Sequence, residues 1–220
     1  MFKNQIHLVI VALLILLSIG CIERKPKILI IGDSISIGYT TYVKEYFLET
    51  AIVSHNPGNA QHTGNSLEKI EKWIRDKDFD VIQFNWGLWD LCYRNPDSKN
   101  HGNRDKEKGK VTFTIDEYKS NLDSLVAILK QKTDAKLIFV TTTYVPKEEP
   151  GRYYIDVEKY NDIAKLVMKK HGILVNDLYQ ESIAIHTENG KGSKDVHYSK
   201  KGYKKLSNLI IKFLENEIEL

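Results

Sequence analysis

The chain has 220 residues and carries 32 Lys and Arg against 29 Asp and Glu, a net charge of +3. Its 42% hydrophobic and 28% charged content is that of a globular chain rather than a disordered one, and the length suits one domain with a sizeable core. The charge is too small to argue for a nucleic-acid partner, and two cysteines cannot build a disulfide scaffold or a cysteine-ligated zinc cluster.

The first twenty residues differ from the rest. Lys3 precedes an unbroken apolar run of ten residues, 8–17. That is short for a membrane span, which needs roughly 20 apolar residues, and has the layout of a secretory signal. The run leads into Leu17-Ser18-Ile19-Gly20-Cys21. This resembles a bacterial lipoprotein signal, with Ser18 where leucine is usual. The resemblance implies a signal peptide over residues 1–20, lipidation of Cys21, a tether over 21–26 and a membrane-anchored, extracytoplasmic domain over 27–220. An uncleaved anchor is the alternative. Cleavage would leave a chain of 200 residues with net charge +2 and Cys92 as its one free thiol.

Strand-like and helix-like stretches then alternate. Ile28-Leu29-Ile30-Ile31 reads as a strand buried on both faces, with turn residues after it. Asp33, Ser34 or Ser36 is placed to cap a helix from Ile37 onward. Ala51-Ile52-Val53, Val81-Ile82-Gln83-Phe84, Leu137-Ile138-Phe139-Val140 and Ile173-Leu174-Val175 read as further strands. Thr114 and Glu117 form a capping box ahead of Tyr118, Leu122, Leu125, Val126 and Leu129, which share one helical face. Val157, Tyr160, Ala164, Val167 and Met168 make a second stripe, ended by Gly172. Leu206, Leu209, Ile210, Phe213 and Leu214 make a third, with Ser199 as N-cap. Five strands joined by helical crossovers predict an α/β domain with a parallel sheet covered on both sides. Residues 93–113 are expected to be an irregular loop of net charge +3.

The first strand ends in Gly32-Asp33-Ser34. In open parallel sheets ligands sit beyond the carboxyl ends of the strands, so the Ser34 hydroxyl would lie on the functional edge. Serine needs a base to be nucleophilic at neutral pH. His197 lies just before the last helix with Asp195 two residues earlier, and an acid that holds one imidazole tautomer completes a triad.

These residues resemble the SGNH hydrolases, also called the GDSL esterase/lipase family, over residues 27–216. The resemblance rests on Ile31-Gly32-Asp33-Ser34-Ile35-Ser36, on Asn56-Pro57-Gly58 through Gly64-Asn65-Ser66, on Asn85-Trp86-Gly87-Leu88-Trp89-Asp90, and on Asp195-Val196-His197-Tyr198 with Gly202-Tyr203. It implies a flavodoxin-like three-layer α/β/α sandwich with a five-stranded parallel sheet, and a serine esterase or acylhydrolase, with deacetylation of a carbohydrate as the first expectation within that class. Ser34 would be the nucleophile, His197 the base and Asp195 its orienter. Ser34 and Gly64 amides would form the oxyanion hole with Trp89, and Asp33, Asn85 and Asp90 would border the pocket. No cofactor or metal is implied. Partners are a small-molecule or glycan ester and the membrane through Cys21, with no nucleic acid.

Two departures bear on mechanism. Trp89 stands where the family has asparagine, so its indole N–H, Asn85 or backbone donors alone must complete the hole; otherwise Trp89 is a core residue. Lys194 stands where the family has aspartate, so Asp195 or a backbone carbonyl must hold His197. These departures favour the rival reading, a non-catalytic surface lipoprotein on the same fold that binds a glycan or other small ligand. His55 and His62 flank the second block and could line the pocket, while His101, His171 and His186 read as surface residues. The basic loop is expected to form a lid or a substrate-selecting wall suited to an anionic glycan. A neutral imidazole base implies activity that falls in acid.

Overall fold

The computed structural model describes residues 24–75 and 78–218. The signal expected at 1–20 and Cys21 lie outside them. Arg24, ahead of the first strand, reaches both carboxylate oxygens of Asp80, at 2.8 and 2.7 Å.

The chain runs β1 (Lys27–Ile31), α1 (Ser34–Tyr46), β2 (Ile52–His55), α2 (Thr63–Ile74), β3 (Val81–Phe84), β4 (Tyr93–Arg94), β5 (Lys110–Val111), α3 (Ile115–Lys132), β6 (Lys136–Val140), α4 (Tyr154–His171), β7 (Leu174–Asn176), α5 (Tyr179–Asn189) and α6 (Lys200–Glu217). The main sheet has the order β2-β1-β3-β6-β7 with every neighbouring pair parallel. Helices α1, α5 and α6 pack together, and α2, α3 and α4 form the other layer. This is the expected three-layer α/β/α sandwich. The five apolar runs read from the sequence are its strands, each within a residue or two. β1 and β3 are buried almost throughout, as strands covered on both faces must be.

Local signals explain the boundaries. Thr114 and Glu117 make the reciprocal capping box of α3. Gly172 ends α4 in the left-handed conformation at φ 69°. The Ser199 side chain accepts from the Gly202 amide and starts α6. Gly38 has a packing role: a Cβ there would meet the Tyr203 ring at 2.2 Å. Its bare backbone lets α1 lie close against α6, which draws the β1–α1 turn toward the segment before α6.

The strand order reverses between β1 and β3, so the ligand-binding crevice of this topology opens at the carboxyl end of β1. Residues 93–113 emerge on that side and are more ordered than an irregular loop. Tyr93 and Arg94 pair antiparallel with Val111 and Lys110. Asp105 accepts from the Glu107 and Lys108 amides at 3.1 and 3.0 Å, and Asn95 bonds its second oxygen at 2.9 Å. The loop also docks on the 146–153 segment, where the Lys106 amide reaches Pro150 O at 2.7 Å and the Tyr93 amide reaches Gly151 O at 2.7 Å.

Candidate active site

Asp33 ends the β1 turn and caps α1. Its carboxylate accepts from the Ile35 amide at 2.9 Å. It is 2% exposed, and burial pushes its carboxyl up. Ser34 is therefore the first residue of α1, at the positive end of a 13-residue helix. Its amide has no acceptor among the described residues, as first-turn amides need not.

His197 comes from the segment that leads into α6. Its Nε2 lies 2.9 Å from Ser34 Oγ, and its Nδ1 lies 2.5 Å from Asp195 Oδ1. The i−2 spacing works because the chain turns on the aspartate: the same Oδ1 accepts the His197 amide at 2.9 Å. Asp195 therefore meets the imidazole, and a backbone carbonyl is not needed. Burial pushes the Asp195 carboxyl upward, but the backbone and ring hydrogen bonds from His197 outweigh it and hold the acid below its ordinary range. An ionised Asp195 accepts the Nδ1–H hydrogen bond, which keeps the proton on Nδ1 and leaves Nε2 free to accept from Ser34.

His186 is not a surface residue. It is 6% exposed, and its Nε2 donates to the Asp195 backbone carbonyl at 2.7 Å. Burial lowers its pKa and keeps the ring neutral. It braces the segment that carries the acid. Sequence reasoning misses it because α5 has no clean apolar stripe to betray its inner face.

A cavity of about 460 Å³ opens over Ser34. Asp33, Ser34, Asn59, Leu88, Trp89, Asp195 and His197 line it, with Arg94, His101, Arg104 and Arg152 on its wall. Trp89 is thus a wall residue as well as a partner of the core, and Arg94 stacks 4.8 Å over its ring. Its indole N–H has no acceptor among the described residues.

Three expected positions are elsewhere. Gly64 does not line the cavity. It is the second residue of α2, which His62 caps, and the Phe113 ring covers it so closely that a Cβ would lie 2.6 Å away. Asn59 holds the wall position instead. Gly32 donates to Asn56 Oδ1 at 2.9 Å and accepts from the Ala60 amide at 3.0 Å, which clamps this turn against the end of β1. Asn59 Oδ1 accepts from the Gln61 amide at 2.8 Å, so its Nδ2 group is the uncommitted end. Asn85 turns inward and donates to Val140 O at 2.7 Å, so it cannot stand in for the missing family asparagine.

Asp90 is fully buried behind the wall. Its Oδ1 accepts from the Thr63 amide at 2.9 Å and hydroxyl at 2.6 Å, while Oδ2 has no partner among the described residues. Burial pushes its carboxyl up to about 7. A folded-state pKa above the unfolded value near 3.9 costs nothing below pH ~4 and destabilises increasingly toward pH 7, by about 4 kcal/mol in all. Asp90→Asn keeps both Thr63 bonds and removes the charge. Urea melts should therefore show the variant gaining on the parent as pH rises from 4 to 8; a constant gap would contradict this.

His55 and His62 do not line the cavity. His55 Nε2 lies 2.7 Å from Ser36 Oγ, but Ser36 is 2% exposed, so this second serine–histidine contact is structural. His62 caps α2 through Nδ1. His171 is bonded to Asp123 at 2.7 Å, and His101 joins the cavity wall.

No family model matches the chain, and no curated protein matches it. Solved structures do. A lipase/acylhydrolase from Enterococcus faecalis superposes with a TM-score of 0.68 at 21% identity, covering 88% of this chain and 97% of that one. The acetylxylan esterase Axe2 from Geobacillus stearothermophilus gives 0.64 at 19% identity, with 85% and 93% covered. A GDSL-like lipase from Bacteroides thetaiotaomicron gives 0.65 at 14% identity, with 90% and 92% covered. The chain has the fold of these enzymes over nearly its whole described length.

Proposed function

We propose that the chain is a serine ester hydrolase whose nucleophile is Ser34. The observation that carries this is the unbroken hydrogen-bonded line Ser34 Oγ, His197, Asp195 at the floor of the cavity, with steps of 2.9 and 2.5 Å. The similar structures support the reading: they are described as lipases and acetylxylan esterases, and one Axe2 structure is a serine-to-alanine form described as a catalytic mutant.

Ser34 Oγ attacks the ester carbonyl as its proton passes to His197 Nε2. The imidazolium, held by Asp195, returns that proton to the leaving alkoxide, and an acyl–Ser34 ester remains. Water activated by the same imidazole then releases the acid. The oxyanion is met by the Ser34 amide at the N-terminus of α1, by the Asn59 side-chain amide and by the Trp89 indole N–H. This set replaces the Ser34–Gly64–Trp89 hole. One such donor is worth about 10²–10³ in rate, so an amide from Asn59 offsets the family asparagine that Trp89 displaces. Short acyl groups on carbohydrates are the first substrates to test.

The purified protein should hydrolyse 4-nitrophenyl acetate well above the buffer rate. A folded protein with no turnover between pH 6 and 9 would contradict the proposal.

A further inference from the structure

Three guanidinium groups share the wall above Ser34, and they reach it from two separate segments. Arg94 and Arg104 belong to the 93–113 loop and Arg152 to the turn before α4. Each is fixed by part of its donor set. Arg152, only 5% exposed, gives Nε to Leu88 O at 2.6 Å and Nη1 to Glu149 at 2.8 Å. Arg104 gives Nε to His101 O at 3.0 Å and Nη1 to the same Glu149 oxygen at 2.7 Å. Arg94 gives Nη1 to Gly102 O and places its guanidinium carbon 4.8 Å over the Trp89 ring. Every one of them keeps further N–H donors, of the five a guanidinium has.

The acids nearby do not balance them. Glu149 is 0% exposed, so its one charge is shared by Arg104 and Arg152 behind the wall. Arg94 has no carboxylate partner among the described residues. Of the two acids that line the cavity, Asp33 feels the Arg152 charge but gives its carboxylate to the start of α1, and Asp195 is committed to His197; neither forms an ion-pair contact with an arginine among the described residues. A neutral ester would leave this arrangement of fixed, under-neutralised guanidinium groups without a partner. A planar oxyanion group such as a carboxylate matches guanidinium forks in both geometry and charge.

We propose that the substrate carries an anionic group, a carboxylate or an equivalent oxyanion, apart from its scissile ester, and that Arg94, Arg104 and Arg152 bind it. This rests on the ester-hydrolase reading and names the substrate class for it. The anion can sit on the acyl or on the alcohol side, and paired esters separate the two. Mono-4-nitrophenyl succinate against 4-nitrophenyl butyrate tests the acyl side. O-acetylated galacturonic acid against O-acetylated galactose tests the alcohol side.

In at least one pair the anionic ester should have a kcat/KM at least tenfold above its neutral mate at low salt, and the ratio should shrink in 0.5 M NaCl. Arg94→Gln and Arg104→Gln should each lower that ratio about tenfold, with Arg94→Lys recovering part of it. Thermal melts establish that the variants are folded. Calorimetric titration of succinate and galacturonate into parent and variants reads the same site without catalysis. Turnover of the neutral esters with no anionic preference in either pair, or a ratio unmoved in both arginine variants, overturns the inference. Turnover of none of the four esters overturns the hydrolase reading instead, and anion binding that is absent from the parent, or unchanged in the variants, then overturns the inference.

Discussion

Replacing Ser34 by alanine is expected to lower kcat for ester hydrolysis by about 10⁴-fold or more, and His197→Ala by a similar factor. The double variant should be no slower than either single one. The reason is that the two side chains perform one proton transfer. Ser34 Oγ and His197 Nε2 are 2.9 Å apart, and neither of these two atoms has another hydrogen-bond partner among the described residues. Without the base, the serine hydroxyl stays protonated; without the serine, the base has no nucleophile to activate. What survives is the rate due to the oxyanion donors and to binding, and that residue is common to all three variants. Ser34→Ala leaves the Asp33 cap of α1 in place, so its loss should come without a loss of stability. Steady-state kinetics on one aryl ester check this. A double variant slowed by the product of the two single effects would show that the residues act independently, against this account.

Asp195→Asn is expected to lower kcat by about 10³-fold. An asparagine can turn its amide N–H₂ toward Nδ1, which places the imidazole proton on Nε2 and removes the acceptor that Ser34 needs. The full loss in well-buried triads is about 10⁴. Here the acid side chain is 40% exposed, so solvent competes for the ring and moderates the effect. The hydrogen bond to the His197 amide adds a structural cost, which a thermal melt reads separately. A loss under threefold would mean that something other than Asp195 orients the ring.

Most of the fold was legible because parallel strands buried on both faces must be apolar runs, and Ile28–Ile31, Val81–Phe84 and Leu137–Val140 are such runs. The helix over Tyr179–Asn189 was not, since Tyr179, Ser182, Ile185, His186 and Asn189 bury polar and apolar groups on one face. Ser34, His197 and Asp195 were legible as a group by their place in chain order. The wall was not. Asn59 faces the cavity because two hydrogen bonds to Gly32 fix its turn, a long-range constraint with no local signature. Gly64 carried the motif's glycine but was claimed by the start of α2 and by Phe113. Arg152 sits 58 positions after Arg94 along the chain, and only folding brings the two to one wall. The sequence showed a basic loop; it could not show that Arg104 shares Glu149 with a guanidinium from outside that loop.

The central claim is that Ser34 is an activated nucleophile. A serine-reactive fluorophosphonate incubated with the folded protein, followed by peptide mass mapping, tests it most directly. The account predicts one phosphonyl adduct on Ser34, absent from Ser34→Ala and strongly slowed in His197→Ala. An unlabelled parent, or equal labelling of parent and Ser34→Ala, would contradict it.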